Sequence, residues 1–284
     1  MTPTAPPAAP LRADCIGDSA GGLTFDVAAR GNTGAALLIL RRRDADDADD
    51  AGAVDESVSL PLAPAAKGRL RAALPSSVSL PEGRWDAYAR VSGGEPRRLV
   101  PGVTDLRSLA ERTPSGLLGH VAVRIPYATR QGNLTVRSWL RAPHAETVDL
   151  SPADGGLTVR GRVYGTQLVP GAHAELRARP GADGGGGGGG GGVHRLDVVA
   201  ERTEFGFTVP YDALAPGVWD LWLRPAGDSG PVVRLARLLD DVADKHPVFI
   251  HPPARVRTPH GVVEAGPFYT RDNDLSLAVT PLES

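Results

Sequence analysis

The sequence predicts an all-β protein of two tandem antiparallel β-sandwich domains with little helix, and three observations carry that prediction. The chain repeats itself: Gly21-Gly22-Leu23-Thr24-Phe25 returns as Gly155-Gly156-Leu157-Thr158-Val159, and Gly83-Arg84-Trp85-Asp86-Ala87-Tyr88-Ala89-Arg90 as Gly217-Val218-Trp219-Asp220-Leu221-Trp222-Leu223-Arg224, both 134 residues on. A third block, Pro126-Tyr127-Ala128-Thr129-Arg130-Gln131-Gly132-Asn133-Leu134, returns as Pro267-Phe268-Tyr269-Thr270-Arg271-Asp272-Asn273-Asp274-Leu275, 141 residues on. A repeat this long is one whole domain per copy rather than a solenoid unit of about 20–50 residues. Next, apolar residues alternate at period two between turn residues, the pattern of half-buried strands. Finally, the amphipathic stretches of about 10–15 residues that a parallel α/β sheet needs between its strands do not occur.

Each element follows in order. Residues 1–11, rich in Thr, Ala and Pro, read as a disordered leader before copy 1 (residues 12–145) and copy 2 (residues 146–284). Leu23, Phe25 and Val27 alternate in a first strand, Gly31-Asn32-Thr33-Gly34 turns the chain, and residues 36–42 make a second strand. Residues 44–56 hold six Asp and one Glu, a self-repelling hairpin tip; the matching place in copy 2 holds a polyglycine loop, residues 183–192. Two unrelated inserts at one position mark an exposed, insertion-tolerant loop. In copy 2, Phe205, Phe207 and Val209 line one strand face, Ala215-Pro216-Gly217 turns, and Trp219, Leu221 and Leu223 line the next. Copy 1 repeats these events around Pro81-Glu82-Gly83. Strand, tight turn and alternating Trp strand are the signature of immunoglobulin-like sandwiches. Residues 104–111 and 235–245 have room for one or two helical turns each.

Charge narrows the function. With 31 basic and 33 acidic residues, a net charge of −2 gives no reason to expect nucleic acid as a partner. The single Cys15, at the edge of the leader, forms no intrachain disulfide and no cysteine metal site. The N-terminus lacks the basic and apolar regions of a secretory signal, and no run approaches the roughly 18–20 apolar residues of a membrane span. The expected location is therefore cytoplasmic.

No catalytic motif stands out. Ser115 and Ser138 lack a Gly-x-Ser-x-Gly context. His246, His251 and His260 follow no metal-ligand spacing, so neither a metal nor a cofactor is expected. Asp86 and Asp220, equivalent across the copies, read as solvated strand residues or salt-bridge partners of neighbouring-strand arginines rather than as a glycosidase pair. Asp272-Asn273-Asp274 offers oxygen ligands, but a hairpin turn accounts for it better. The aromatics remain: Trp222 and Tyr88 lie opposite the expected core Trp219 and Trp85, and with Trp139 and Tyr269 they are either packing residues between sheets and domains or candidate platforms for a sugar ring. Asp272 and Asp274 complete the candidate ligand-binding set. What the copies share is strand, turn and Trp positions, whereas a duplicated active site should have kept matching polar residues.

Residues 205–224, with 235–245 and 268–275, resemble segments of actinobacterial proteins labelled transferases: accessory regions near or fused to cell-wall polymer glycosyltransferases, including teichoic-acid-type enzymes. The resemblance spans residues 23–280, and the usage rich in Ala, Gly, Pro and Arg fits a high-GC genome. It implies a non-catalytic tandem that binds carbohydrate or docks a glycosyltransferase, either free in the cytoplasm or held at the inner face of the membrane through that partner. No catalytic residue of the resemblance maps onto this chain. The alternatives are a glycosyl-type transferase with a site at the seam of the copies, and a structural or oligomerisation module.

Overall fold

The computed structural model describes residues 9–28, 34–43, 56–110, 114, 119–153, 155–180, 192–259 and 261–282. The expected polyglycine loop (except Gly192), most of the acidic run, residues 1–8, Ser115 and His260 lie outside the described residues. Contacts divide the chain into unit 1 (Met1–Thr113, Ala122–Leu140, Leu239–Ala243) and unit 2 (Pro114–Val121, Arg141–Leu238, Asp244–Ser284).

The fold is all-β, two immunoglobulin-like sandwiches produced by duplication. In the first copy the strands are β1 (Leu11–Gly17), β2 (Leu23–Val27), β3 (Ala36–Arg43), β4 (Ser57–Pro61), β5 (Ala63–Ala65), β6 (Arg69–Leu74), β7 (Gly83–Val91), β8 (Arg97–Asp105), β9 (Val121–Ala128) and β10 (Leu134–Arg141). One layer is β1, β2, β6 and β5; the other is β4, β3, β7, β10 and β9. Strand β8 joins both, antiparallel to β7 and parallel to β1. In the second copy the strands are β11 (His144–Ala153), β12 (Gly156–Tyr164), β13 (His173–Ala178), β14 (Val193–Asp197), β15 (Val199–Glu201), β16 (Glu204–Pro210), β17 (Gly217–Arg224), β18 (Val233–Ala236), β19 (Ala254–Thr258), β20 (Gly261–Tyr269) and β21 (Leu275–Pro281). The pattern is the same: β11, β12, β16 and β15 face β14, β13, β17, β21 and β20, and β18 bridges them, antiparallel to β17 and parallel to β11. Strand β19 extends the second layer beyond β20 and has no counterpart among the described residues of copy 1.

Alternation explains the cores. On β17 the sequence buries Trp219, Leu221 and Leu223 against Phe205, Phe207 and Val209 of β16. The same registers bury Trp85, Ala87 and Ala89 in copy 1 with Phe25, Leu38 and Leu40. Each core Trp is also tied by its indole N–H, which satisfies the one polar atom of a buried ring. Trp85 Nε1 donates to Pro81 O at 3.0 Å and Trp219 Nε1 to Ala215 O at 2.9 Å, so each ring latches the turn that precedes its strand. The turn needs glycine: Gly83 and Gly217 adopt φ of 157° and 140°, which L side chains rarely adopt.

Two expectations are corrected. Cys15 is not at a loose edge but in the centre of β1, 1 % exposed, because Leu11 already begins that strand. Residues 235–245 form no helix; β18 runs on into bends. Asp240 and Asp244 turn the backbone locally, their Oδ1 atoms accepting from Val242 N at 2.9 Å and His246 N at 3.2 Å, and such side-chain bonds compete with helix. The matching segment of copy 1 does form one turn, α1 (Arg107–Ala110).

Candidate functional site

Each copy places one carboxylate where four strands meet. In unit 1, Asp86 of β7 receives Arg43 Nη2 of β3 at 2.5 Å and Thr135 Oγ1 of β10 at 2.8 Å, with Arg98 Nη2 of β8 at 3.1 Å. In unit 2, Asp220 of β17 receives Arg179 Nη2 at 2.5 Å, Arg234 Nη2 of β18 at 2.7 Å and Ser276 Oγ of β21 at 2.9 Å. An aromatic ring two residues further on completes the set. Arg41 and Arg98 stand 5.1 and 4.9 Å from the Tyr88 centroid; Arg177 and Arg234 stand 5.1 and 5.2 Å from that of Trp222. The expectation that the copies share only strand, turn and Trp positions is therefore corrected: they share a charged cluster.

The electrostatics describe a hub. Burial alone pushes the Asp220 carboxyl up, but hydrogen bonds from Arg179 and Ser276 and the charge of Arg234 outweigh it and hold the group below the usual carboxylate range. Arg234, its side chain 9 % exposed, is pulled down by burial and pushed back by Asp220 and Asp274. A carboxylate with low proton affinity and three donors suits a permanent ion-pair hub. A general acid needs the opposite shift, toward neutral pH.

The six expected ligand residues separate. Trp222 and Tyr88 are half-buried, on the outer faces of β17 and β7, each flanked by two guanidinium groups. Trp139 is 0 % exposed, under Arg137 at 4.8 Å, and Tyr269 is 1 % exposed, edge-on to Phe249 at 5.9 Å, so neither presents a face to solvent. Asp272 and Asp274 lie on a hairpin. Thr270 N donates to Asp274 O and Asn273 N to Thr270 O, both at 2.9 Å, and Asn273 takes φ of 61°. The same bonds join Thr129, Gly132 and Asn133, with Gly132 at φ 76°. This is a type I turn closed by a left-handed residue. Asp274 pairs with Arg141 at 3.0 Å, and burial nonetheless raises its carboxyl above the ordinary value. Asp272 is exposed at the tip.

The other polar candidates are held in the framework. Ser138 is buried and donates to Leu80 O at 2.8 Å, and burial pushes the Cys15 thiol up to about 12. Imidazole Nδ1 of His246 bonds Tyr269 O at 2.9 Å. Among the described residues no group of three or more His, Cys, Asp and Glu is placed to hold a metal ion.

No family model matches this chain, and no curated protein matches it. Among solved structures it is similar to a tetra-tandem repeat in the extending region of a large adhesion protein, at 13% sequence identity and a TM-score of 0.24, over 97% of this chain and 67% of that one.

Sequence reading missed Arg41, Arg43, Arg98 and Thr135 and their equivalents Arg177, Arg179, Arg234 and Ser276. The signal was present but split. The arginines repeat 136 residues on, the aspartates 134, and the hydroxyls 141, so no single offset aligns the cluster.

Proposed function

We propose that the chain is a non-catalytic tandem of β-sandwich modules that binds carbohydrate or docks an enzyme of surface-polymer glycosylation. One observation carries the reading: the polar constellation common to both copies spends its hydrogen bonds on itself. Asp86 and Asp220 are each engaged by two arginines and a hydroxyl drawn from neighbouring strands, an arrangement that ties strands together and keeps the central carboxylate occupied rather than free for acid–base chemistry. Among the described residues, no helix is long and apolar enough to cross a membrane. In this reading the chain works in the cytoplasm, or at the inner face of the membrane through its partner enzyme.

The test pairs binding with turnover. Titrating the full chain with soluble polysaccharides should change its Trp fluorescence, and Tyr88→Ala in unit 1 should reduce that change while leaving thermal unfolding of unit 2 unaltered. The pure protein should release no nucleotide from UDP-glucose or UDP-N-acetylglucosamine. Release that co-elutes with the protein through size-exclusion chromatography, and persists in Tyr88→Ala, would overturn the non-catalytic reading.

A further inference from the structure

The outer faces of the two copies can be compared rung by rung, because paired residues of antiparallel strands project from the same side of a sheet. In unit 1 the rungs read Arg43, Arg84, Arg137; then Arg41, Asp86, Thr135; then Ile39, Tyr88, Arg98; then Leu37, Arg90. In unit 2 the matching rungs read Val218, Ala278 beside Arg179; then Arg177, Asp220, Ser276; then Glu175, Trp222, Arg234; then His173, Arg224. Unit 2 puts apolar residues where unit 1 has Arg84 and Arg137, and a second carboxylate, Glu175, where unit 1 has Ile39.

Pairing follows composition. Every arginine on the unit 2 rungs has a carboxylate: Arg177 and Arg224 on Glu175 at 2.6 and 2.7 Å, Arg179 and Arg234 on Asp220 at 2.5 and 2.7 Å. In unit 1 the only carboxylate on these rungs is Asp86, and among the described residues Arg41, Arg84 and Arg90 have no ion pair. Arg98 reaches Asp86 with Nη2, but its Nη1 is buried without a hydrogen-bond partner, whereas Nη1 of the equivalent Arg234 donates to Leu221 O at 3.0 Å. Among the described residues, this face of unit 1 carries more guanidinium groups than carboxylates.

We propose that this face of unit 1 binds an anionic polysaccharide through Arg41, Arg84, Arg90 and Arg98, which deepens the carbohydrate-binding reading above and rests on it. The guanidinium groups sit on neighbouring strands about 4.8 Å apart, with Arg84 and Arg90 six residues, about 20 Å, apart on β7 and Arg41 and Arg98 on the rungs between them, a flat array suited to successive anionic groups of an extended polymer. A guanidinium fork takes carboxylate, sulfate or phosphate oxygens two at a time. Contact with the Tyr88 ring orders Arg41 and Arg98 before any ligand arrives, which lowers the entropy lost on binding. The same contact disfavours single-stranded nucleic acid, whose bases need open aromatic faces on which to stack. The near-neutral chain also lacks the broad positive field that steers nucleic-acid binding.

The full chain is tested by titration at 50 mM NaCl with sodium polygalacturonate, dextran sulfate, neutral pullulan and a twenty-nucleotide oligothymidylate. The expected result is binding to one or both anionic polysaccharides, polygalacturonate alone marking a carboxylate ligand and dextran sulfate alone a sulfate- or phosphate-like one. Raising salt to 200 mM should weaken that binding roughly tenfold or more, by counterion release from about three contacts. The triple variant Arg41→Gln/Arg84→Gln/Arg90→Gln should lose at least tenfold. The variant Arg160→Gln/Arg257→Gln/Arg271→Gln, with the same change of charge on exposed residues of unit 2, should stay within twofold. Circular dichroism and thermal unfolding establish that both variants are folded, and Arg41→Lys/Arg84→Lys/Arg90→Lys should recover part of the affinity. Equal losses in the two Gln variants, or tighter binding of the oligonucleotide than of either polysaccharide, would overturn the assignment. Binding of pullulan without either anionic polymer defeats this inference and leaves the carbohydrate reading standing, whereas binding of no polysaccharide defeats both.

Discussion

Replacing Asp220 by Asn is the sharpest perturbation of the framework, and its size can be worked from burial. The Asp220 side chain is 22% exposed and its partner Arg234 9%, so the substitution leaves a buried guanidinium short of its main counter-charge. Breaking one half of a fully buried pair costs about 3–5 kcal/mol. Here Arg234 keeps Leu221 O at 3.0 Å and Asp274 at 3.8 Å, which brings the expected loss to about 2–3 kcal/mol, at or below the bottom of that range. The natural control is Glu204→Gln. Its ion pair with Arg162 has the same 2.5 Å separation as Asp220 with Arg179, but the two side chains are 60% and 39% exposed, and such pairs are worth under about 1 kcal/mol. Urea unfolding followed by Trp fluorescence and far-UV circular dichroism reads both. The pH dependence has a defined sign. Asp220's folded carboxyl titrates below its unfolded value, so its contribution is present above about pH 4, the ordinary Asp value, and is lost as pH falls through the folded pKa. Asp274, whose carboxyl is raised, runs the other way: its contribution is present in acid and is lost as pH rises through its folded pKa. Asp220→Asn should therefore flatten the acid limb of the stability profile. A loss no larger than that of Glu204→Gln, or an unchanged acid limb, would refute the hub.

Further expectations follow from the same contacts. Trp219→Ala removes a buried ring and its bond to Ala215 O, and should cost about 3–5 kcal/mol by denaturant unfolding, with Trp85→Ala similar in unit 1. Gly132→Ala meets no atom within 4 Å, so its cost is conformational alone, about 1–2 kcal/mol, measured the same way; Asn273→Gly tests the matching turn but also loses the bond from Lys245 N at 3.1 Å. Cys15, buried and with its thiol pushed up to about 12, should resist a thiol-disulfide reagent at pH 8 in the native protein and react at once in guanidinium chloride. Glu175→Gln releases Arg177 and Arg224 from their shared carboxylate, and should raise affinity for an anionic polysaccharide rather than lower it.

The sandwiches were legible because their causes are local. Leu23, Phe25 and Val27 or Trp219, Leu221 and Leu223 announce a buried face within a few residues, and Gly83 and Gly217 mark the turn each Trp latches. The hairpin at Asp272-Asn273-Asp274 was legible for the same reason, since a left-handed Asn or Gly after a short polar run has few other uses. The Asp-centred cluster was not. Its members come from four strands, with Arg43 and Thr135 separated by 92 residues, and strand register alone brings them together. The missing helix at residues 235–245 has a third cause: Asp240 and Asp244 bond their own backbone, a choice that composition does not announce.

The most direct test of the account is hydrogen–deuterium exchange of the full chain with and without a saturating anionic polysaccharide. Added protection is expected in Ala36–Arg43, Gly83–Val91 and Arg97–Asp105 of unit 1, with Gly217–Arg224 and His173–Ala178 of unit 2 unchanged. Protection shared equally by the two copies, or confined to unit 2, would contradict it.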